Sequence, residues 1–174
     1  MFGIKGCSLN QPALLLLLLC SFTTIGAITS TRSETIHTET AELDFSLPGI
    51  DGERYHLSHL RGKVVLITFW ASWCPQCIEE MPQIEALWRD ADQHRFQVLA
   101  INVGEEADMI LKFRQRLRLS FPLLLDQDMT VYKRWPLLGL PTSFLLNRQG
   151  AIVHKVVGYM DWNDARIKSL IETL

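Results

Sequence analysis

The 174-residue sequence predicts an α/β domain built on one mixed sheet with helices on both faces. KVVLITFW (63–70) and FQVLAINV (96–103) are near-continuous apolar, β-branched runs, the composition of strands buried on both faces. Each is followed by a stretch whose apolar residues recur at helical spacing. Near the end of the chain, LLNRQGAIVHKVV reads as a hairpin turning at Arg148-Gln149-Gly150, with a helical segment after it. Alternating βα units followed by a hairpin and a terminal helix describe a sheet of mixed strand direction. With 48% hydrophobic residues and no long low-complexity tract, the chain has the material for one core of ordinary size.

Ahead of that domain, MFGIKGCSLNQPALLLLLLCSFTTIGAI carries Lys5, an apolar run from Ala13 through Leu19, and then small residues. This is the order of a secretory signal, so residues 1–27 are read as a signal peptide cleaved near Gly26 or Ala27. An uncleaved membrane anchor over the same residues ranks second. Pro12 to Ile28 is interrupted by Ser21, Thr23 and Thr24 and only borders on the roughly 17 to 25 apolar residues that span a bilayer. Lipidation at Cys20 ranks third, because Leu19 is large where such a site wants a small residue. Residues 28–41 are dense in Ser and Thr and too poor in apolar side chains to offset the entropy of ordering, which makes them a flexible linker or tether. The folded domain is expected over residues 42–174.

Within the domain, LDFSLPGIDGERYHLSHLRG has a turn signal at Asp51-Gly52 between short apolar pieces, as a small hairpin would. The strand 63–70 follows. Ile84, Leu87, Trp88 and Ala91 then mark a helix from about Cys74 to His94. After the strand 96–103, Ile110, Leu111, Phe113 and Leu117 place an amphipathic helix between about Ala107 and Arg118. Glu105, Glu106 and Asp108 precede Lys112, Arg114, Arg116 and Arg118, a distribution that suits the helix dipole. PLLLD reads as a strand, VYKRW as a short helix, PTSFLLN and AIVHKVVG as the hairpin strands, and Trp162 to Leu174 as the last helix. Trp88, Trp135 and Trp162 read as packing residues, His154 as a strand residue, and the His56/His59 pair as solvated loop histidines.

Bulk charge excludes one class of partner. A formal net charge of -2 leaves no basic field for nucleic acid. The cysteines say more. Removal of the export segment takes Cys7 and Cys20 with it and leaves a single pair, Cys74 and Cys77. A disulfide across so small a ring removes little entropy from the unfolded chain, so stapling is a poor explanation for it. Structural zinc normally takes four ligands. His37, His56, His59, His94 and His154 form no paired arrangement with the cysteines, and no metal or other cofactor is expected. Covalent haem attachment needs a histidine after the second cysteine, where this chain has Ile78.

The remaining chemistry is a redox dithiol, which needs an exposed thiol at a helix N-terminus and a second thiol one turn later. Cys74 at the start of the predicted helix faces unpaired amides and the positive end of the helix dipole, both of which favour a thiolate. Pro75 suits the first turn because it has no N–H to leave unsatisfied. Cys74 is therefore the attacking sulfur, and the less exposed Cys77 resolves the mixed disulfide.

FWASWCPQCIEEMP together with GLPTSFLLNRQG resembles the thioredoxin superfamily and, within it, the exported thiol-disulfide oxidoreductases of the TlpA/ResA type. The likeness covers residues 42–174. It implies a thioredoxin fold with an N-terminal β extension and a central insertion within residues 104–130. It also implies a reducing role towards protein disulfides outside the cytoplasm, in the periplasm or an equivalent compartment, with apocytochrome c haem-site cysteines and copper-site cysteines as typical substrates. By the same resemblance Trp73 is the aromatic beside the cysteines, and Pro141, preceded by Leu140, is a cis-proline facing the dithiol. Trp73, Pro75, Leu140 and Pro141 then form the substrate groove, and Pro82 interrupts the helix ladder at the Ile78 carbonyl. An exported reductase also needs electrons from a membrane-embedded thiol donor.

Thioredoxin has a buried aspartate where this chain has Thr68, which cannot act as a carboxylate base. Glu80 matches an acidic residue of the resembled subfamily. It lies three positions after Cys77 on the same helical side, which makes it a candidate proton acceptor for Cys77 or a tuner of the pair; the competing reading is a solvated surface glutamate like Glu79. Two other functions stay open: a copper-binding metallochaperone using the two thiolates with a histidine, and a thioredoxin-fold peroxidase suggested by DFSLPGIDGERYHLSHLRGK.

Overall fold

The computed structural model describes residues 43–174. The expected signal peptide or anchor and the linker lie outside the described residues. The domain opens with an antiparallel pair, β1 (Ser46–Pro48) and β2 (Arg54–His56), turning where Asp51-Gly52 was expected, with Gly52 at φ +86°. His56 ends β2 and His59 falls in a 3-10 turn over Leu57–Leu60, so the two histidines are not in a loop; their ring centroids lie 4.6 Å apart with the planes tilted by 31°.

The main sheet has the strand order β5-β4-β3-β6-β7. Its members are β3 (Val64–Trp70), β4 (Phe96–Val103), β5 (Leu123–Asp126), β6 (Thr142–Leu146) and β7 (Ile152–Val157). The pairs β3–β4 and β4–β5 are parallel, whereas β6 runs antiparallel to both β3 and β7. Every residue of β3 is buried, as its unbroken apolar composition requires of a central strand.

Among the described residues four α-helices pack on this sheet: α1 (Pro75–Asp90), α2 (Ala107–Leu117), α3 (Thr130–Arg134) and α4 (Ala165–Thr173). Parallel crossovers that step in the same direction deposit their helices on the same face. Accordingly Met81, Ile84 and Leu87 of α1 share one cluster with Ile110 and Phe113 of α2, and Ile171 of α4 joins them. The other face is covered by the short α3, by Trp135 and by Leu43, Phe45, Leu47 and Leu57 of the N-terminal extension. Helices thus lie on both faces, but the three longest share one. The expected insertion, residues 104–130, contains α2 and β5.

Two helix boundaries differ from expectation. α1 stops at Asp90, four residues before His94, because Ala91 is extended and the Asp92 side chain and carbonyl close a turn onto His94, Arg95 and Phe96. α4 starts at Ala165, not Trp162, because Asp164 caps it by accepting the Arg166 N–H. Trp162 remains in the preceding loop with its N–H on Gln83 Oε1.

Candidate active site

The site forms where β3 ends and α1 begins. Trp70 closes the strand, Ala71, Ser72 and Trp73 make the connection, and Cys74 is the N-cap residue of α1 with Pro75 in its first turn. The Cys74 N–H donates to the Ala71 carbonyl at 3.2 Å, and Ile78 closes the first helical turn onto the Cys74 carbonyl at 3.1 Å. Cys74 Sγ accepts the Cys77 N–H at 3.2 Å, so the sulfur does the work that a serine or aspartate oxygen does at an ordinary N-cap.

Cys74 and Cys77 are joined in a disulfide, with Cα atoms 5.3 Å apart. The exposed thiol anticipated at Cys74 is instead 5% exposed, against 1% for Cys77. In the oxidised pair the Cys74 side chain belongs to the apolar cluster under α1 together with Cys77 and Met81. The anticipated order of exposure holds, while the absolute exposure is low. Trp73, in contrast, stands 69% exposed beside it.

Glu80 is 1% exposed, so the surface-glutamate reading is set aside. It enters α1 one turn after Cys77, and the segment following β7 covers it. The Met160 N–H donates to Glu80 Oε1. Next to it, Gln83 accepts the Trp162 N–H at 2.9 Å and donates through Nε2 to the Tyr159 hydroxyl at 2.8 Å. Burial pushes the Glu80 carboxyl from its ordinary 4.5 up to about 7, and Glu79 adds to the rise. The Met160 N–H opposes it. The Trp162 indole N–H also favours the charged form, although it falls short of a complete hydrogen bond.

The Leu140–Pro141 peptide bond is cis. Pro141 is buried and its carbonyl accepts the Gly158 N–H at 2.9 Å, while the β3–β6 ladder begins only at Thr142 and leaves Leu140 outside it. Thr68 is buried with its hydroxyl 2.9 Å from that of Ser143, its register partner on β6. Val64, Leu66 and Trp70 place the even positions of β3 on the α1 face, so this hydroxyl pair lies on the helix side of the sheet. Pro82 lies inside α1, where it removes the N–H that the Ile78 carbonyl would have accepted.

Glu105, read from sequence as one of the acids serving a helix dipole, does something else. The helix starts at Ala107, and of the three acids only Asp108 occupies its first turn. Glu105 accepts the Ser72 N–H at 2.7 Å, the Ser72 hydroxyl at 2.5 Å and the Asn102 amide N–H at 2.7 Å. Ser72, Asn102 and Glu105 escaped the motif reading because they lie at the ends of two strands far apart in sequence. The usable signal was INVGEE at the carboxyl end of a second parallel strand, the edge of an α/β sheet where sites collect.

The sequence pattern of the AhpC/TSA family matches residues 39–155. The thiol-disulfide oxidoreductase ResA of Geobacillus thermodenitrificans is 33% identical over 161 residues, covering 92% of this chain and 91% of that protein. Among solved structures, a Chlorobium tepidum protein described as the thiol:disulfide interchange protein DsbE superposes with a TM-score of 0.67 at 31% identity, over 73% of this chain and 91% of its own. The pneumococcal exposed lipoprotein thioredoxin of Streptococcus pneumoniae superposes with a TM-score of 0.62 at 27% identity, over 75% and 99% of the two chains.

Proposed function

We propose, from the premise that the chain belongs to the AhpC/TSA family and is a thiol-disulfide oxidoreductase of the ResA kind, that it reduces protein disulfides outside the cytoplasm. Apocytochrome c haem-site cysteines and copper-site cysteines are its substrate class. The observation that carries this reading is the Cys74–Cys77 disulfide at the head of α1, with the Cys77 N–H directed at Cys74 Sγ. An amide that donates to this sulfur stabilises it as a thiolate once the bond is opened.

In the reduced protein the Cys74 thiolate attacks one sulfur of a substrate disulfide. The Cys74–substrate bond forms, the substrate S–S bond breaks, and the second substrate sulfur leaves as a thiolate that takes a proton from water. Cys77 then loses its proton and attacks Cys74 Sγ, which closes the Cys74–Cys77 bond and releases the first substrate sulfur. Two electrons have passed from the protein to the substrate. Glu80, buried one turn beyond Cys77 and with its carboxyl raised to about 7, suits the acceptor of the Cys77 proton near neutrality. Trp73, Pro75, Leu140 and Pro141 form the groove that receives the substrate, with the Leu140 backbone outside the β6 ladder and able to pair with an extended peptide.

A reductant in an oxidising compartment has to be recharged, so a membrane-embedded thiol donor is its second partner. The secretory order of residues 1–27 supports export, cleaved or retained as a tether, as does the likeness to an exposed lipoprotein thioredoxin. The test is Cys77→Ser expressed in the exporting cell, with mass-spectrometric identification of whatever is disulfide-linked to Cys74. A captured protein whose own disulfide the wild type reduces confirms the proposal, and an empty trap sinks it. Peroxide consumption, or copper retained in stoichiometric amount after purification, would replace it with the peroxidase or metallochaperone function.

A further inference from the structure

Two carboxylate–serine clips of the same chemistry tie the central segment to the rest of the domain. In each, one glutamate accepts both the N–H and the hydroxyl of one serine more than thirty residues away in sequence: Glu105 with Ser72, and Glu85 with Ser120. The second clip lies eleven residues along α1 from Cys74, about 16 Å of helix. The first is on the connection that delivers Cys74.

We propose that Glu105 is a positioning residue for the dithiol, holding Ser72 so that Cys74 Sγ is presented in line with an incoming disulfide; this rests on the thiol-disulfide exchange reading above. Only Ala71, Ser72 and Trp73 separate the end of β3 from Cys74. Trp73 is largely in solvent, so apolar packing of its ring does not hold this connection. Ser72 spends both of its donors on Glu105. The carboxylate is held in turn by Asn102, which is fully buried in β4 opposite Trp70 and whose Oδ1 finds no hydrogen-bond partner among the described residues. A valine or isoleucine would serve the core better at that position, so Asn102 is best explained by its bond to Glu105. Displacement of a nucleophilic sulfur from its line of attack lowers rate without abolishing the chemistry.

The experiment uses the reduced full-length protein and a short synthetic peptide carrying one disulfide, and follows the second-order rate from about pH 5 to about pH 10. The high-pH plateau, where Cys74 is fully ionised, reports geometry, and the midpoint reports charge. Ser72→Ala and Glu105→Gln each leave part of the clip and are expected to lower the plateau about threefold, and Glu105→Ala about tenfold. Glu85→Ala breaks the twin clip; it should lower the melting temperature and leave the plateau unchanged. The proposal is overturned if all three clip variants keep the wild-type plateau, if only their midpoint moves, or if Glu85→Ala lowers the plateau equally. Failure of the wild type itself to exchange with the peptide would refute the functional reading instead, a result distinct from any of these.

Discussion

Glu80, three residues past Cys77 on α1, accepts the backbone N–H of Met160 in the segment after β7, a hydrogen bond that crosses 80 residues of chain. The bond places an ionisable group under cover between the active-site helix and a segment distant in sequence. Burial raises its pKa from 4.5 to about 7.

A pH signature follows from that shift. Between these two values the folded protein keeps a proton on Glu80 that the unfolded chain has lost, so the stabilisation is complete below 4.5 and is lost as pH rises to about 7. The gap corresponds to roughly 3–4 kcal/mol. Glu80→Gln retains an acceptor for Met160 and cannot titrate, so its stability lacks this decline. Urea unfolding of both proteins at several pH values across the window checks it; a constant difference between them would refute the shift.

Alkylation tests the nucleophile. A thiol brought from about 8.5 to about 7 gains roughly fifteenfold in thiolate at neutrality and loses about fivefold in intrinsic nucleophilicity, a net gain near threefold. In the reduced protein, iodoacetamide should therefore label Cys74 about three times faster than free cysteine and label Cys77 more slowly. Equal rates at Cys74 and free cysteine contradict the thiolate assignment.

The Thr68–Ser143 hydroxyl pair should behave as a unit. Both residues are buried, and removing one hydroxyl leaves the other without its partner. Thr68→Val and Ser143→Ala should each cost about 1–3 kcal/mol, and the double variant should cost less than their sum. Additive losses in a double-mutant cycle would show that the two hydroxyls are not coupled.

Trp135 secures the N-terminal extension. Its ring lies 4.9 Å from Phe144, 5.4 Å from Phe69 and 6.1 Å from Phe45, and its indole N–H donates to the Leu43 carbonyl at 3.1 Å. Trp135→Ala should destabilise the domain by about 3–5 kcal/mol. Trp135→Phe keeps much of the apolar area, loses the bond to Leu43, and should cost less. Denaturant midpoints at constant m-value decide between these outcomes and no effect.

Residue-local features were open to reading from the chain alone. The buried strands 64–70 and 96–103 are legible because a two-sided apolar environment demands unbroken β-branched runs. The cysteines at the head of a helix are legible because helix periodicity begins beside them. The cis bond before Pro141 was expected from the family resemblance, since proline alone rarely adopts it. The helix boundaries were less secure: the Asp92 turn and the Asp164 cap act through single side-chain bonds that leave no periodic trace.

By itself, then, the sequence determined the order of strands and helices, the dithiol and its place at a helix N-terminus, all consequences of side-chain type and short-range spacing. Folding in three dimensions decided which charged residues lie inside. Glu79 and Glu80 are adjacent and chemically identical, yet Glu80 alone is covered by the segment around Met160. Glu105 and Glu106 are also adjacent, yet Glu105 alone receives Ser72 from the neighbouring strand end. Burial and long-range hydrogen bonding depend on what the rest of the chain brings against a residue, and that information resides in no local stretch.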